Sequence, residues 1–414
     1  PRREEYTCYG VHVNLAARQM VMASWGEIWL DEETVRLASH QFERTELGRV
    51  RFKGFAGEHL VYRLLGWRGF NVENFAGENF YLESMVGRQA ELVQLEAALA
   101  PLTTGQFAGV ITISGEAGMG KSRLVHELQT QGVRRRAQGI GSGQTPSLLL
   151  PRWFLYQTDE ILRQPLNPFR YWLRSYFRQS TSGDEAANKA AFTAKLDELS
   201  VVLTTLATAE KRKAQGPKRA TETYERLKSE ITRTRSFLGA LIELHWPDSL
   251  YAQVEPQLRF ENTLAALKSL ILAESLRQPV ILYLEDAQWL DQESRTLLAR
   301  LTHDVADYPF AVIVTQRTSE GSGGPGEQES LAGEGPQLTI ALAALTLDEI
   351  TTLATIQLQG TPAPALVELV WARAEGNPFF AEQLLRYLRE QNWLTQGPKG
   401  WELHAQKAAP TLLP

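Results

Sequence analysis

The sequence is short of cysteine, with one residue, Cys8, among 414. A single thiol closes no internal disulfide, and no Cys/His group has zinc-ligand spacing. A disulfide-stapled scaffold and a zinc module are both excluded, and a reducing, cytoplasmic setting is expected. Long apolar runs are missing too. The longest, such as residues 280–284, fall far short of the roughly 20 residues that span a bilayer, so no membrane partner is expected. No secretory leader is visible. Nor is there an excess of one charge: 43 Lys and Arg against 48 Asp and Glu leave a net charge of -5. That balance argues against a generally basic nucleic-acid binder, although a local basic face remains open. The chain also lacks an initiator Met. It opens Pro1-Arg2-Arg3 and closes Thr411-Leu412-Leu413-Pro414, so it is expected to lie within a longer protein and to work with flanking domains.

What is present reads as globular, with 43% hydrophobic and 22% charged residues. At about 150 residues per domain, two or three domains are expected. Residues 1–66 alternate strand and helix signals: 6–13 are β-prone, 15–22 helical, 27–30 a short strand, and 50–53 and 59–65 two strands joined at Gly54-Phe55-Ala56-Gly57. Residues 67–82, rich in Gly, Asn and aromatics, read as a linker. Residues 83–340 carry helix, strand and Gly-rich loop signals in α/β order, with 140–250 read as an insertion without a chemical motif. Residues 341–390 are helical, and 391–414 begin with a hairpin around Gly397-Pro398-Lys399-Gly400. The charged stretch 209–235 reads as a solvated helix or insertion, and the Gly/Ser-rich stretch 319–335 as a loop unable to bury a core.

The strongest motif is Gly115-Glu116-Ala117-Gly118-Met119-Gly120-Lys121-Ser122, which satisfies G-x-x-x-x-G-K-[ST]. A β-rich run, 109–114, precedes it, and Leu124, Val125 and Leu128 mark one face of a helix behind it. The chemistry needs this order. Gly115, Gly118 and Gly120 let backbone N–H groups close around phosphate oxygens, and the helix N-terminus favours an anion. Lys121 would then reach the β/γ phosphates of a nucleotide, with the Ser122 hydroxyl on Mg2+.

A second motif, residues 280–286, is an apolar run ending in Glu285-Asp286. Acids at the C-terminal end of a buried parallel strand lie where α/β sheets bind ligands. One acid would serve the metal and the other would orient or deprotonate water. We assign Glu285 to the metal and Asp286 to the water, with the reverse left open. A third apolar run, 310–315, leads to Gln316-Arg317. Arg317 either senses a γ-phosphate or opens a loop as a plain surface cation.

Together these stretches resemble the STAND class of AAA-type P-loop ATPases. Met85-Val86-Gly87-Arg88-Gln89-Ala90-Glu91 resembles the element before the nucleotide loop that helps hold adenosine in that class, with Gln89 in place of the usual first Glu. Leu284-Glu285-Asp286-Ala287-Gln288-Trp289-Leu290-Asp291 resembles its acidic strand motif, Gln288 standing where His is common, and Arg317 matches its Arg after the sensor strand. Gly376-Asn377-Pro378-Phe379-Phe380 resembles the lid motif, whose Pro packs near adenine. Locally, the same residues punctuate two helices. The resemblance implies an α/β P-loop NTPase parallel sheet with a helical lid, holding ATP or ADP with Mg2+. It further implies assembly into a homo-oligomer through the ATPase.

Residues 6–65 resemble the C-terminal part of a class III nucleotide cyclase domain, in 6–18, 26–30 and 47–65. This implies an α+β partial cyclase domain ahead of the ATPase. In that family the residues matching Asn14 and Arg18 stabilise the transition state, and Lys53 matches a phosphate-contacting lysine. The plain alternative for Asn14 and Arg18 is a helix cap and a surface charge. Val11 replaces the base-reading Asp, and the two metal-binding aspartates of the family would lie upstream of Pro1, so the chain alone is expected to make no cyclic nucleotide. Three functions follow: an ATP-driven signalling switch with slow hydrolysis, an adenylate cyclase in a longer parent regulated by the ATPase, and a transcription regulator with DNA contacts further downstream.

Overall fold

The computed structural model describes residues 11–23, 27–37, 42–55, 57–67, 85–137, 151–158, 164–179, 184–212, 218–318, 334–397 and 400–404. Cys8, residues 68–82 of the expected linker and the Gly/Ser-rich residues 319–333 lie outside them. The chain divides into two compact units, Pro1–Phe75 and Ala76–Pro414. No helix among the described residues is long and apolar enough to cross a membrane.

In the first unit, α1 (Val11–Met22), β1 (Trp29–Asp31) and α2 (Glu32–Leu37) precede β2 (Phe42–Val50) and β3 (His59–Trp67). The strands form an antiparallel sheet in the order β1-β3-β2. Two sequence expectations need correction. Residues 11–13 belong to α1, not to a strand: Leu15 and Gln19, one turn apart, are both buried, and a helical inner face overrides the β preference of Val11 and Val13. The hairpin's first strand is Phe42–Val50, and 51–53 lie in the connection to β3. There Phe52 leaves the strand to plug a small core with Leu15 and Val61, while the polar residues Thr45, Glu46 and Arg49 stay exposed on an edge strand.

The second unit begins with α3 (Gln89–Leu99) and β4 (Gly109–Ser114), followed by α4 (Lys121–Ala137), β5 (Arg152–Gln157) and α5 (Asn167–Tyr176). Two long helices, α6 (Glu185–Arg212) and α7 (Lys218–Leu241), a single turn α8 (Leu250–Gln253) and α9 (Pro256–Arg277) come next. Then follow β6 (Val280–Glu285), α10 (Gln292–Leu301), β7 (Phe310–Gln316) and β8 (Gln337–Ala341). The five strands form one parallel sheet in the order β5-β6-β7-β4-β8. Both faces are buried, as all-parallel sheets require. Val280, Leu282 and Leu284 of β6 join Phe310, Val312 and Val314 of β7 on the face covered by α5–α7, α9 and α10. Ile281, Tyr283, Ala311 and Ile313, pointing the other way, pack with Leu92 and Leu95 of α3 and Leu124, Val125 and Leu128 of α4.

The stretch expected to be an insertion holds part of this sheet. β5 is an edge strand paired in parallel with β6 from Arg152 to Gln157, and α5–α7 roof one face. Its aromatic residues bind it there: Tyr156 packs on Phe169 and Trp172 at 4.7 and 5.4 Å between ring centroids. Of the charged 209–235 segment, residues 209–212 end α6 and 218–235 form most of α7, while 213–217 lie outside the described residues.

After β8 the chain forms a three-helix bundle, α11 (Leu347–Leu358), α12 (Pro364–Ala374) and α13 (Pro378–Glu390), with its own core around Ile350, Val370 and Leu385. Each start is written locally: Thr346 and Glu349 form a capping box on α11, Pro364 opens α12, and Asn377 caps α13 ahead of Pro378. A short hairpin, β9 (Leu394–Gly397) and β10 (Gly400–Leu403), closes the described chain, as expected.

Candidate functional site

The C-terminal ends of β4, β7 and β6 lie side by side, so the three sequence motifs meet although up to 202 residues separate them (115 to 317). The loop after β4 turns through Gly118 at φ 84° and Gly120 at φ 87°, and α4 starts at Lys121. The Lys121 side chain is buried, and Nζ donates to Gly115 O at 2.9 Å and Glu116 O at 2.8 Å. Burial lowers its pKa below the usual lysine range, Asp286 pulls it back up, and Arg317 lowers it again. A buried ammonium at a helix N-terminus puts two positive features at one point, an arrangement that favours an anion.

Ser122 Oγ donates to Glu285 Oε1 at 2.5 Å, joining the loop to the acidic end of β6. Two hard oxygen donors this close suit Mg2+, which takes one or two protein carboxylates and completes its shell with phosphates and water. Among the described residues, no group of three or more His, Cys, Asp or Glu is placed to hold a metal without such help. Asp286 adopts a left-handed conformation, φ 53°, and is held from three sides. Its N–H donates to Thr315 Oγ1 at 3.2 Å, its carbonyl accepts from Thr158 Oγ1 at 2.7 Å, and its carboxylate accepts from Gln288 Nε2 at 3.0 Å. Gln288 Oε1 accepts from the Arg317 N–H at 3.2 Å, so one carboxamide bridges the acid and the residue after β7. Arg317 itself is exposed.

The bundle meets this loop directly. Asn377 Nδ2 donates to Ala117 O at 2.8 Å, and the Phe379 N–H lies 3.4 Å from Gly118 O. Arg123 of α4 pairs with Glu382 of α13 at 3.7 Å. Pro378 lines a pocket with Met85, Val86, Met119, Leu353 and Ile356, bordered by Arg88 and Gly120. Its lining is mostly apolar, and it lies beside the phosphate loop. Arg88 is tied to structure on two sides: Nη2 donates to Ala343 O at 2.5 Å, and Nη1 pairs with Glu91 at 3.3 Å. It thereby anchors the segment entering the bundle.

In the first unit, Asn14 and Arg18 are exposed on α1, one turn apart, and Lys53 is exposed beside buried Phe52. Gly10 and the residues before it lie outside the described chain.

Sequence reasoning missed Thr158, Thr315 and the Arg123–Glu382 pair, and it read Asn377 only as part of the lid motif, not as a contact to the phosphate loop. Thr315 is the last buried residue of an apolar strand, and a polar residue there was the available signal. Thr158 gave none, because β5 itself went unread.

Residues 84–314 match the family described as AAA ATPase domain. An uncharacterised protein of Rhizobium meliloti (strain 1021) is 25% identical over 315 residues, which is 76% of this chain. The chain spans about a quarter of that relative's length (26%). Among solved structures, a STAND protein with a tetratricopeptide repeat sensor from Pyrococcus horikoshii is similar at 14% identity and TM-score 0.33, over 75% of this chain and 32% of that one. The Aeropyrum pernix ORC1 protein, solved in complex with DNA, aligns at 16% identity and TM-score 0.38, over 76% and 63%. CDC6P from Pyrobaculum aerophilum aligns at 12% and 0.39, over 77% and 66%.

Proposed function

The chain belongs to the AAA ATPase domain family, and from that premise we propose that it is a signalling switch of the STAND type that binds ATP with Mg2+ and hydrolyses it slowly. One observation carries this reading. Lys121, Ser122, Glu285 and Asp286 come from two distant segments and meet at the C-terminal ends of the central strands, with Ser122 and Glu285 in hydrogen-bond contact. In the roles we assign, Lys121 and the loop N–H groups hold the phosphates, and Ser122 with Glu285 holds the metal. Asp286, fixed by Thr158, Thr315 and Gln288, orients or deprotonates the attacking water. Mg2+ would supply charge neutralisation on the phosphates. Arg317 senses the γ-phosphate, Pro378 packs on the base, and Arg88 fixes the wall beside it.

Differential contact with ATP and ADP is what allows a switch, since a ligand shifts a two-state equilibrium only by its differential affinity for the two states. The bundle, resting on the phosphate loop, is the element placed to move. Output would pass to flanking domains, with the cyclase-like piece of residues 1–66 or a downstream effector domain as the regulated part. Calorimetry with ATP and ADP, on this chain and on Lys121→Ala, tests the reading. Mg-dependent binding lost in the variant supports it, and no binding by the parent chain sinks it.

A further inference from the structure

We propose that Asn377 is a positioning residue that aims the Gly118 N–H by gripping the other side of the same peptide plane. Phosphate affinity would then depend on whether the three-helix bundle is docked. The second half of this statement rests on the nucleotide reading above. The first half stands on geometry alone.

The orientation of the Asn377 carboxamide follows from its two jobs. Oδ1 accepts from the Phe379 N–H at 3.1 Å and the Phe380 N–H at 3.4 Å, capping α13. Nδ2 is thereby turned outward, and it donates to Ala117 O at 2.8 Å. The side chain is almost wholly buried, at 5% exposure, so the bond is shielded from competing water. A peptide bond is planar and trans, so the Ala117 carbonyl and the Gly118 N–H point in opposite directions. Holding the oxygen on the bundle side directs that N–H away from the bundle. Gly118 belongs to the anion-cradling motif, where an N–H free to rotate would lose part of its worth.

Three further contacts converge on the same spot. The Phe379 N–H lies 3.4 Å from Gly118 O, the next carbonyl along. Arg123 and Glu382 pair across the two helices at 3.7 Å. A Cβ at Gly118 would lie 2.7 Å from Asn377 Oδ1 and 2.9 Å from Phe379 Cβ, so this glycine serves a close approach as well as its φ of 84°. The bundle thus reads the backbone of the loop, and loop shape and bundle position change together.

Asn377→Asp and Asn377→Ser separate the grip from the cap. Both keep an N-cap acceptor. Asp loses the donor and sets a carboxylate against a carbonyl, and Ser is too short to reach. A single hydrogen bond of this kind is worth about 1 kcal/mol, or about fivefold in affinity. We expect both variants to fold, with ADP and ATP binding weakened about five- to tenfold by calorimetry. Amide exchange over residues 376–382 should rise in the nucleotide-free chain. Two folded variants with wild-type affinity and wild-type exchange would overturn the proposal. So would weakening confined to Asn377→Ala, since that marks a cap alone. If the parent chain binds no nucleotide, the functional reading fails by itself, and the exchange comparison still decides the grip.

Discussion

Lys121 shows how one side chain carries both a cost and a function. Burial disfavours its charged form, so its pKa lies below the ordinary lysine value of 10.5. Between the lowered value and 10.5 the unfolded chain holds a proton that the folded chain has released, and stability from this group therefore rises with pH across that window. A polyphosphate beside Nζ favours the charged form and reverses the shift. Nucleotide binding in the alkaline range should accordingly take up protons. Calorimetry in two buffers of different ionisation heat would read that uptake, which Lys121→Ala should abolish. The two acids can be separated in the same way. Glu285→Gln should weaken the Mg-dependent part of binding, because Glu285 is the acid in contact with Ser122. Asp286→Asn should leave binding in place and slow hydrolysis by about 100- to 10,000-fold, the usual worth of a general base. The opposite pattern in binding and turnover assays would exchange the two roles.

Among the elements, the three-helix bundle depends on a junction that tolerates no side chain. Gly376 sits at φ 72°, and its carbonyl accepts from the Leu345 N–H at 2.8 Å. A Cβ there would lie 2.6 Å from Leu345 O. Gly376→Ala should therefore cost about 1–3 kcal/mol, seen as a lower midpoint in thermal unfolding. A variant as stable as the parent would show that the junction relaxes. This junction was legible in the sequence because a Gly-Asn-Pro run punctuates helices locally, and β4, β6 and β7 were legible because each is an apolar run ending in its motif. β5 was not. It ends in no chemical motif, and its role comes from pairing with β6, more than 120 positions away. α1 and β2 were misplaced because buried Leu15, Gln19 and Phe52 decide them, and burial is set by the rest of the first unit.

Across the whole second unit, function depends on contacts that close long loops. Thr158 reaches Glu285 and Asp286 over 127 and 128 positions, and Asn377 reaches Ala117 over 260. No local pattern encodes such pairs, which is why the motifs could be read from the sequence and the contacts that hold them could not. The Asn377 contact ties the loop to the bundle, and the Ser122–Glu285 contact ties the loop to the acidic strand end, so a change at the phosphates has a physical route outward. In the first unit the described core is three fully buried residues, Leu15, Phe52 and Val61. The most direct test of the switch is amide exchange over residues 343–346 and 376–382, recorded with Mg-ATP and with Mg-ADP at saturation. Different protection of these segments in the two states, lost in Lys121→Ala, is the expected result. Identical protection with both nucleotides, under conditions where both bind, would contradict a nucleotide-driven switch.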